Sequence, residues 1–326
     1  MALTVVVTGC AGFIGSHVTE ALLADGAKVH GVDCFDDYYP PALKVRHLAA
    51  AQLHPRFELS VVDLADAQRV QGVAARVKPD VVVHLAAVAG VRLSVADPAR
   101  YVRANVVGTQ NVLDAWSRGP HAAPLVVASS SSVYGNGVPA PYREDGPLGS
   151  PPSPYAATKR ATELLAACHQ SIHGGAVTLL RFFTVYGPRQ RPDLAIRKFA
   201  TAILRGEPVT VFGDGEMARD FTHVSDVVRG VRAAMASREG LSVVNLGNDS
   251  PVTVNELVEK VGAALGTPAR VDHVPRPVGE MDVTWASIER AKERWAWAPQ
   301  VKLDDGLADF AAWLRAEEAA GHNLTA

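Results

Sequence analysis

The chain has 326 residues, 48% hydrophobic and 20% charged, ample apolar content for one large core or two modest ones. Lys and Arg number 32 against 34 Asp and Glu, a net charge of -2, so no basic field exists to hold nucleic acid or an anionic membrane. Apolar runs break well before the ~18 residues of a membrane span, the start MALTVVVTGC lacks a basic lead, and Cys10, Cys34 and Cys168 lack metal-ligand spacing, which together predict a cytoplasmic chain with structural thiols and no metal.

The first predicted strand, LTVVV (3–7), runs into TGCAGFIGSHV, where Gly9, Gly12 and Gly15 stand three apart at the start of a helical pattern. Glycines there permit a tight turn and let backbone N–H groups approach a pyrophosphate, although such a trio also occurs as a plain strand-to-helix turn. The second strand, AKVHGVD (27–33), ends in Asp33, 18 residues after Gly15. That is close to the roughly 20 expected of an acid on the adenosine ribose, and its charge favours NAD over NADP. The next cations, Lys44 and Arg46, read as too distant to serve a 2′-phosphate. FELSVVD (57–63) places Asp63 at a strand end, where it can receive the adenine amino group or serve as a turn residue.

DVVVHLAA (80–87), PLVVASS (124–130) and AVTLLRF (176–182) complete six apolar, β-branched runs separated by helical spacings such as RANVVGTQNVLDAWS. Continuous apolarity implies strands covered on both faces, hence a Rossmann-like doubly wound parallel α/β sheet. The fifth strand opens into the serine run ASSSSVYG, at the sheet edge where ligands of such folds sit. SPYAATKRATELLAACHQ then puts Tyr155 and Lys159 four apart on one helix face, with Ala161, Leu164, Leu165, Cys168 and Ile172 as its expected buried stripe. An isolated YxxxK is most often a surface pair. Its chemical reading is a phenol of ordinary pKa about 10 made basic by a nearby ammonium and a cationic nicotinamide, with Ser130 beside it. Past residue 180, Pro and Gly thicken, which predicts domains at 1–180 (NAD-binding) and 181–326 (a smaller α/β substrate domain), the chain crossing back around 221–250.

In order, TGCAGFIGSH, HLAA, RANVVGTQNVLDA, SSSSVYG, PYAATK, LRFFTVYGPRQRP, VFGDGEMARDFTHVSDV and RPVGEMDVTWASIERAKERWAWAP resemble the extended short-chain dehydrogenase/reductases that act on nucleotide sugars, across almost the whole chain. The chain is most similar to UDP-glucuronate 4-epimerases. The resemblance implies NAD contacts from Gly9, Gly12, Phe13, Ile14, Gly15, Asp33, Asp63, Leu64, Leu85, Ala86, Ala87 and Asn105, with Tyr155 and Lys159 shared between cofactor binding and catalysis and Ser130 as the third catalytic member. It implies Arg219 and Arg276 at a UDP pyrophosphate, and Val211 and Glu280 near the uridine. A homodimer built as a four-helix bundle is also implied.

Within that resemblance, sugar-nucleotide dehydratases carry Asp-Glu where this chain has Ser131 and Ser132, and decarboxylases commonly carry Glu at the position of Ser132 and Asn at that of Thr184. Oxidising C4 of a glucuronate leaves a ketone beta to the carboxylate, which then loses carbon dioxide readily, so an epimerase must hold that carboxylate still. Arg191 is the expected grip, through the two-point hydrogen bonding open to a guanidinium, helped by Thr184, Ser131 and Ser132. Arg181 reads as structural, and Arg189 departs from the Trp of the resembled epimerases. A UDP-glucuronate decarboxylase, a neutral UDP-sugar 4-epimerase and a non-catalytic NAD sensor remain the alternatives.

Overall fold

Six apolar runs become six strands: β1 (Thr4–Thr8), β2 (Lys28–Asp33), β3 (Phe57–Val61), β4 (Val81–His84), β5 (Leu125–Ser130) and β6 (Val177–Phe182). They are followed by β7 (Thr184–Tyr186), β8 (Val209–Phe212), β9 (Ala218–His223), β10 (Leu241–Leu246), β11 (Pro251–Thr253), β12 (Val271–Val274) and β13 (Val283–Thr284). These come from a computed structural model that describes residues 2–118, 122–238, 240–276 and 281–322.

The main sheet has seven parallel strands in the order β10-β6-β5-β4-β1-β2-β3. Alternate residues explain why it is covered on both faces. Val5, Val7, Val81, Val83 and Val126 enter one buried cluster, and Val6, Val82, Leu125 and Val127 enter the other. The chain lays down β1, β2 and β3 toward one side and returns to β4 on the other, so the order reverses between β1 and β4. Ligands of open α/β sheets bind at that reversal.

Smaller elements gather over this edge. β9 pairs with β7, β11 and β13, and β8 pairs with β12. A third core containing Phe199, Val211, Phe221, Leu257 and Phe310 lies beneath them.

The helix Pro154–His173 is set by local chemistry. Ser153 caps it, accepting from the Ala156 N–H at 3.2 Å, Pro154 occupies the first turn, and Gly174 at φ +73 ends it. Its buried face is Ala156, Thr158, Lys159, Thr162, Glu163, Ala166 and His169, while Leu164, Cys168 and Ile172 are exposed. The expected burial stripe is therefore corrected: the polar face turns to the sheet because its groups find partners there. Cys34 is likewise exposed, and Cys10 is the buried thiol.

Candidate active site

A cavity of about 530 Å³ opens at the β1/β4 reversal, a size that suits a small ligand. Gly9, Gly12, Phe13, Ile14 and Gly15 form one wall. Gly9 has φ +72, and a Cβ on it would fall 2.7 Å from the Ala86 nitrogen; one on Gly15 would fall 2.0 Å from the Gly9 carbonyl oxygen. The turn thus admits no side chain at Gly9 or Gly15, where it presents bare backbone. The helix Phe13–Ala24 begins there with no side-chain cap, leaving N–H groups for phosphate.

Asp33 lines the same cavity and accepts from the Ala11 N–H (3.0 Å) and the Phe35 N–H (2.8 Å). Burial raises its carboxyl above the ordinary range, against those bonds and the nearby Lys44 ammonium. Lys44 also lines the cavity, its Nζ donating to the Asp36 carbonyl at 2.6 Å and lying 4.6 Å from the Tyr39 ring centroid. Its remoteness in sequence was misleading, because the helix Pro41–His47 folds back and brings Lys44 to the cavity wall near Asp33; Arg46 instead pairs with Glu317. Asp63 and Leu64 line the cavity, Asp63 in an ion pair with Arg103 at 2.6 Å. Leu85, Ala86 and Ala87 leave the sheet after His84 to form the opposite wall. These residues fit a dinucleotide: a backbone cradle for the pyrophosphate, with Asp33 and Asp63 beside it.

Beyond the cradle, Ser130, Tyr155 and Lys159 share the cavity. The Ser130 hydroxyl accepts from the Ser132 N–H (3.2 Å) and the Ser132 hydroxyl (2.9 Å), which leaves its own proton for Tyr155. Burial raises the Tyr155 phenol above its usual value, while the Ser130 bond and the Arg191 charge oppose the rise. Burial pushes Lys159 down to about 8, Glu163 resisting, and its Nζ donates to the Ala128 carbonyl at 2.9 Å. Tyr101 meets Tyr155 edge-on, centroids 6.1 Å apart.

Ser131, Ser132, Thr184, Arg191 and Arg219 line this region. Arg191 is engaged by Asp193 at two points, Nε–Oδ1 and Nη2–Oδ2 both 2.9 Å. Arg189, at φ 64, turns away to Glu20 at 2.8 Å and clamps its loop to the first helix. Arg181 is structural, paired with buried Glu163, whose Oε1 also accepts from Ser129 at 2.5 Å. Among the described residues, the acids lining the cavity are Asp33, Asp36 and Asp63, none of them beside Tyr155 in the chain or on its elements.

The profile of the family described as GDP-mannose 4,6 dehydratase matches residues 6–310. This chain belongs to that family. A UDP-glucuronate 4-epimerase of Thermodesulfobacterium geofontis is 37% identical over 308 residues, spanning 94% of each chain. The structure of UDP-glucuronic acid 4-epimerase from Bacillus cereus, in complex with UDP-glucuronic acid and NAD, superposes with a TM-score of 0.90 at 34% identity, covering 96% of this chain and 99% of that one. UDP-glucose 4-epimerase of Thermotoga maritima, with UDP-glucose, gives 0.89 at 31% identity, covering 97% and 100%.

Three residues that the family resemblance assigned to ligands stand off the cavity wall. Asn105 is buried in a π-helical turn, Val102–Val107, where it accepts from the Val88 N–H (2.8 Å) and donates to the Val88 carbonyl (3.0 Å) and Thr158 (3.1 Å). Those bonds shape the loop after β4. Val211 is fully buried in the third core, on the inward face that β8 shares between Val209 and Val211 while Thr210 points outward. Arg276 pairs with Asp282 at 2.5 Å. Glu280 lies outside the described residues.

The structure gives roles to residues that the sequence motifs left without one. His84 links Thr8 (2.7 Å) to Thr109 (3.0 Å), and burial pushes it down to about 3, so it stays a neutral connector. Tyr38 and Asp193 brace Arg191. The DYY run carrying Tyr38 and the Asp following RP were the available signals.

Proposed function

We propose that this chain inverts C4 of UDP-glucuronate through a 4-keto intermediate, giving UDP-galacturonate, with NAD as cofactor. The observation that carries the reading is one cavity joining a dinucleotide cradle to Tyr155, Ser130 and Lys159, with Arg191 on its wall.

Tyr155 accepts the proton of the sugar 4-hydroxyl and later returns it, with Ser130 hydrogen-bonded to the same oxygen. The Lys159 ammonium favours the phenolate. When bound, NAD supplies reversible hydride uptake at C4. Arg219 and Arg276 hold the diphosphate, Arg276 by swinging from Asp282, while the ring turns over between the two half-reactions. Arg191, Thr184, Ser131 and Ser132 meet the C5 carboxylate. Dehydration would need an acid near C5 and C6, and serine hydroxyls of ordinary acidity do not supply one.

Residues 1–180, with the returning segment around 221–250, act as the cofactor lobe, and the remainder of 181–326 as the substrate lobe. The exposed Leu164 and Ile172, with Val102 and Val107 on the neighbouring helical segment, give a second copy an apolar surface, so a homodimer is the proposed assembly. Three free thiols suit a cytoplasmic location. No helix among the described residues is long and apolar enough to cross a membrane.

Incubation with UDP-glucuronate and NAD, followed by separation of nucleotide sugars, tests the reading. UDP-galacturonate is the expected product. UDP-xylose or UDP-4-keto-pentose alone would replace it with decarboxylation, and conversion of UDP-glucose only would replace it with neutral-sugar epimerisation.

A further inference from the structure

We propose that Asp193 and Tyr38 are positioning residues that aim the Arg191 guanidinium at the sugar's C5 substituent and so decide whether a 4-keto uronate keeps its carboxylate. The inference rests on the functional reading above and names residues that the catalytic motifs do not contain.

Asp193 occupies the Nε–Nη2 edge of Arg191 at two 2.9 Å bonds. Nη1 has no hydrogen-bond partner among the described residues, and Arg191 lines the cavity. A guanidinium fixed along one edge presents its opposite edge in one orientation. The Tyr38 hydroxyl donates to Asp193 Oδ2 at 3.1 Å, and the Tyr38 ring lies under the guanidinium, 5.2 Å from centroid to Cζ. Burial keeps the Tyr38 phenol protonated, hence a donor, and Arg191 holds Asp193 below the ordinary carboxylate range against the effect of burial. Tyr38 is itself pinned: its N–H donates to Asp36 at 2.8 Å, and Arg100 pairs with Asp36 and Asp37. The brace runs from the crossover after β2 to the loop after β7, spanning both lobes.

The reaction at stake is redox-neutral. In a 4-keto uronate, the electron pair of the bond between C5 and its carboxyl carbon flows into the C4 carbonyl, carbon dioxide leaves, and C5 of the resulting enolate takes a proton from water. It needs the breaking bond aligned with the carbonyl π system, and a carboxylate held in one plane by Arg191 is kept from that alignment.

The test compares wild type with Asp193→Ala and Tyr38→Phe. In Asp193→Ala, assayed with NAD in excess, the ratio of decarboxylated products (UDP-4-keto-pentose, each molecule leaving one NADH, plus UDP-xylose, which returns the hydride) to UDP-galacturonate should rise about tenfold, and the calorimetric preference for UDP-glucuronate over UDP-glucose should fall about tenfold. Tyr38→Phe, which removes one hydroxyl and carries the test if Asp193→Ala does not fold, should move both roughly threefold. Unmoved ratios in folded, NAD-loaded variants overturn the proposal. So does tighter UDP-glucuronate binding by Asp193→Ala, which would make Asp193 a competitor of the substrate. A wild type that makes no UDP-galacturonate defeats the functional reading; a wild type that epimerises beside unmoved variants defeats the positioning role alone.

Discussion

Replacing Lys159 with methionine should make the protein more stable and nearly inactive. Against an ordinary value of 10.5, burial pushes Lys159 down to about 8. The folded state therefore opposes the charged form by roughly 3 kcal/mol at neutral pH. Methionine matches the buried stem and leaves the Ala128 carbonyl, which accepts from Nζ at 2.9 Å, without its donor at a cost of ~1 kcal/mol. The net is about 2 kcal/mol of stabilisation, a few degrees in Tm for a chain of this size. The pH dependence has a definite sign. Below about 8 both states of wild type are protonated and the full penalty applies; between about 8 and 10.5 the unfolded chain holds the proton and the folded one does not, so wild-type stability rises with pH. The advantage of the variant should therefore shrink across that window and vanish above it. Thermal unfolding followed by circular dichroism at pH 7, 9 and 10.5 measures it, alongside turnover that should drop at least about a hundredfold. A variant that melts below wild type at pH 7, or a gap that fails to close, refutes the reasoning about this buried ammonium.

Tyr155→Phe should fold, retain NAD and lose at least about a hundredfold in turnover, measured by product formation and by cofactor content of the purified protein. Asp33→Ala removes an acceptor from the Ala11 and Phe35 N–H groups and from the adenosine ribose, and should weaken NAD by about 2 kcal/mol, roughly thirtyfold in Kd by calorimetry. Arg181→Met leaves Glu163 charged and buried without its two-point partner, which should cost about 3–5 kcal/mol in denaturant unfolding; a loss under 1 kcal/mol would show that the pair is solvated.

The sheet was legible because burial on both faces demands unbroken apolar runs, and Val5–Val7, Val81–Val83 and Leu125–Val127 obey that demand. The glycine loop, Asp33 and the Tyr155–Lys159 spacing were legible because each answers to local geometry. The helix Pro154–His173 misled because hydrophobicity alone assigns its faces: Thr158, Lys159 and Glu163 face inward, where partners await them, and Leu164 and Ile172 face outward. What stayed hidden was long-range pairing. Nothing near Arg191 in sequence announces that Tyr38, more than 150 residues earlier, braces its partner Asp193, or that Lys44 folds back beside Asp33.

The return of the chain into the main sheet through β10 has a consequence for how such a molecule can change. Because the seventh strand of that sheet is contributed only after β7, β8 and β9, the chain cannot be cut or traded for another at a single junction after β6 without stripping β6 of its neighbour β10. New sugar preferences must then arise by rewriting loops in place, and a fragment stopping just after β6, at residue 183, should come off the ribosome with an open sheet edge, prone to self-association.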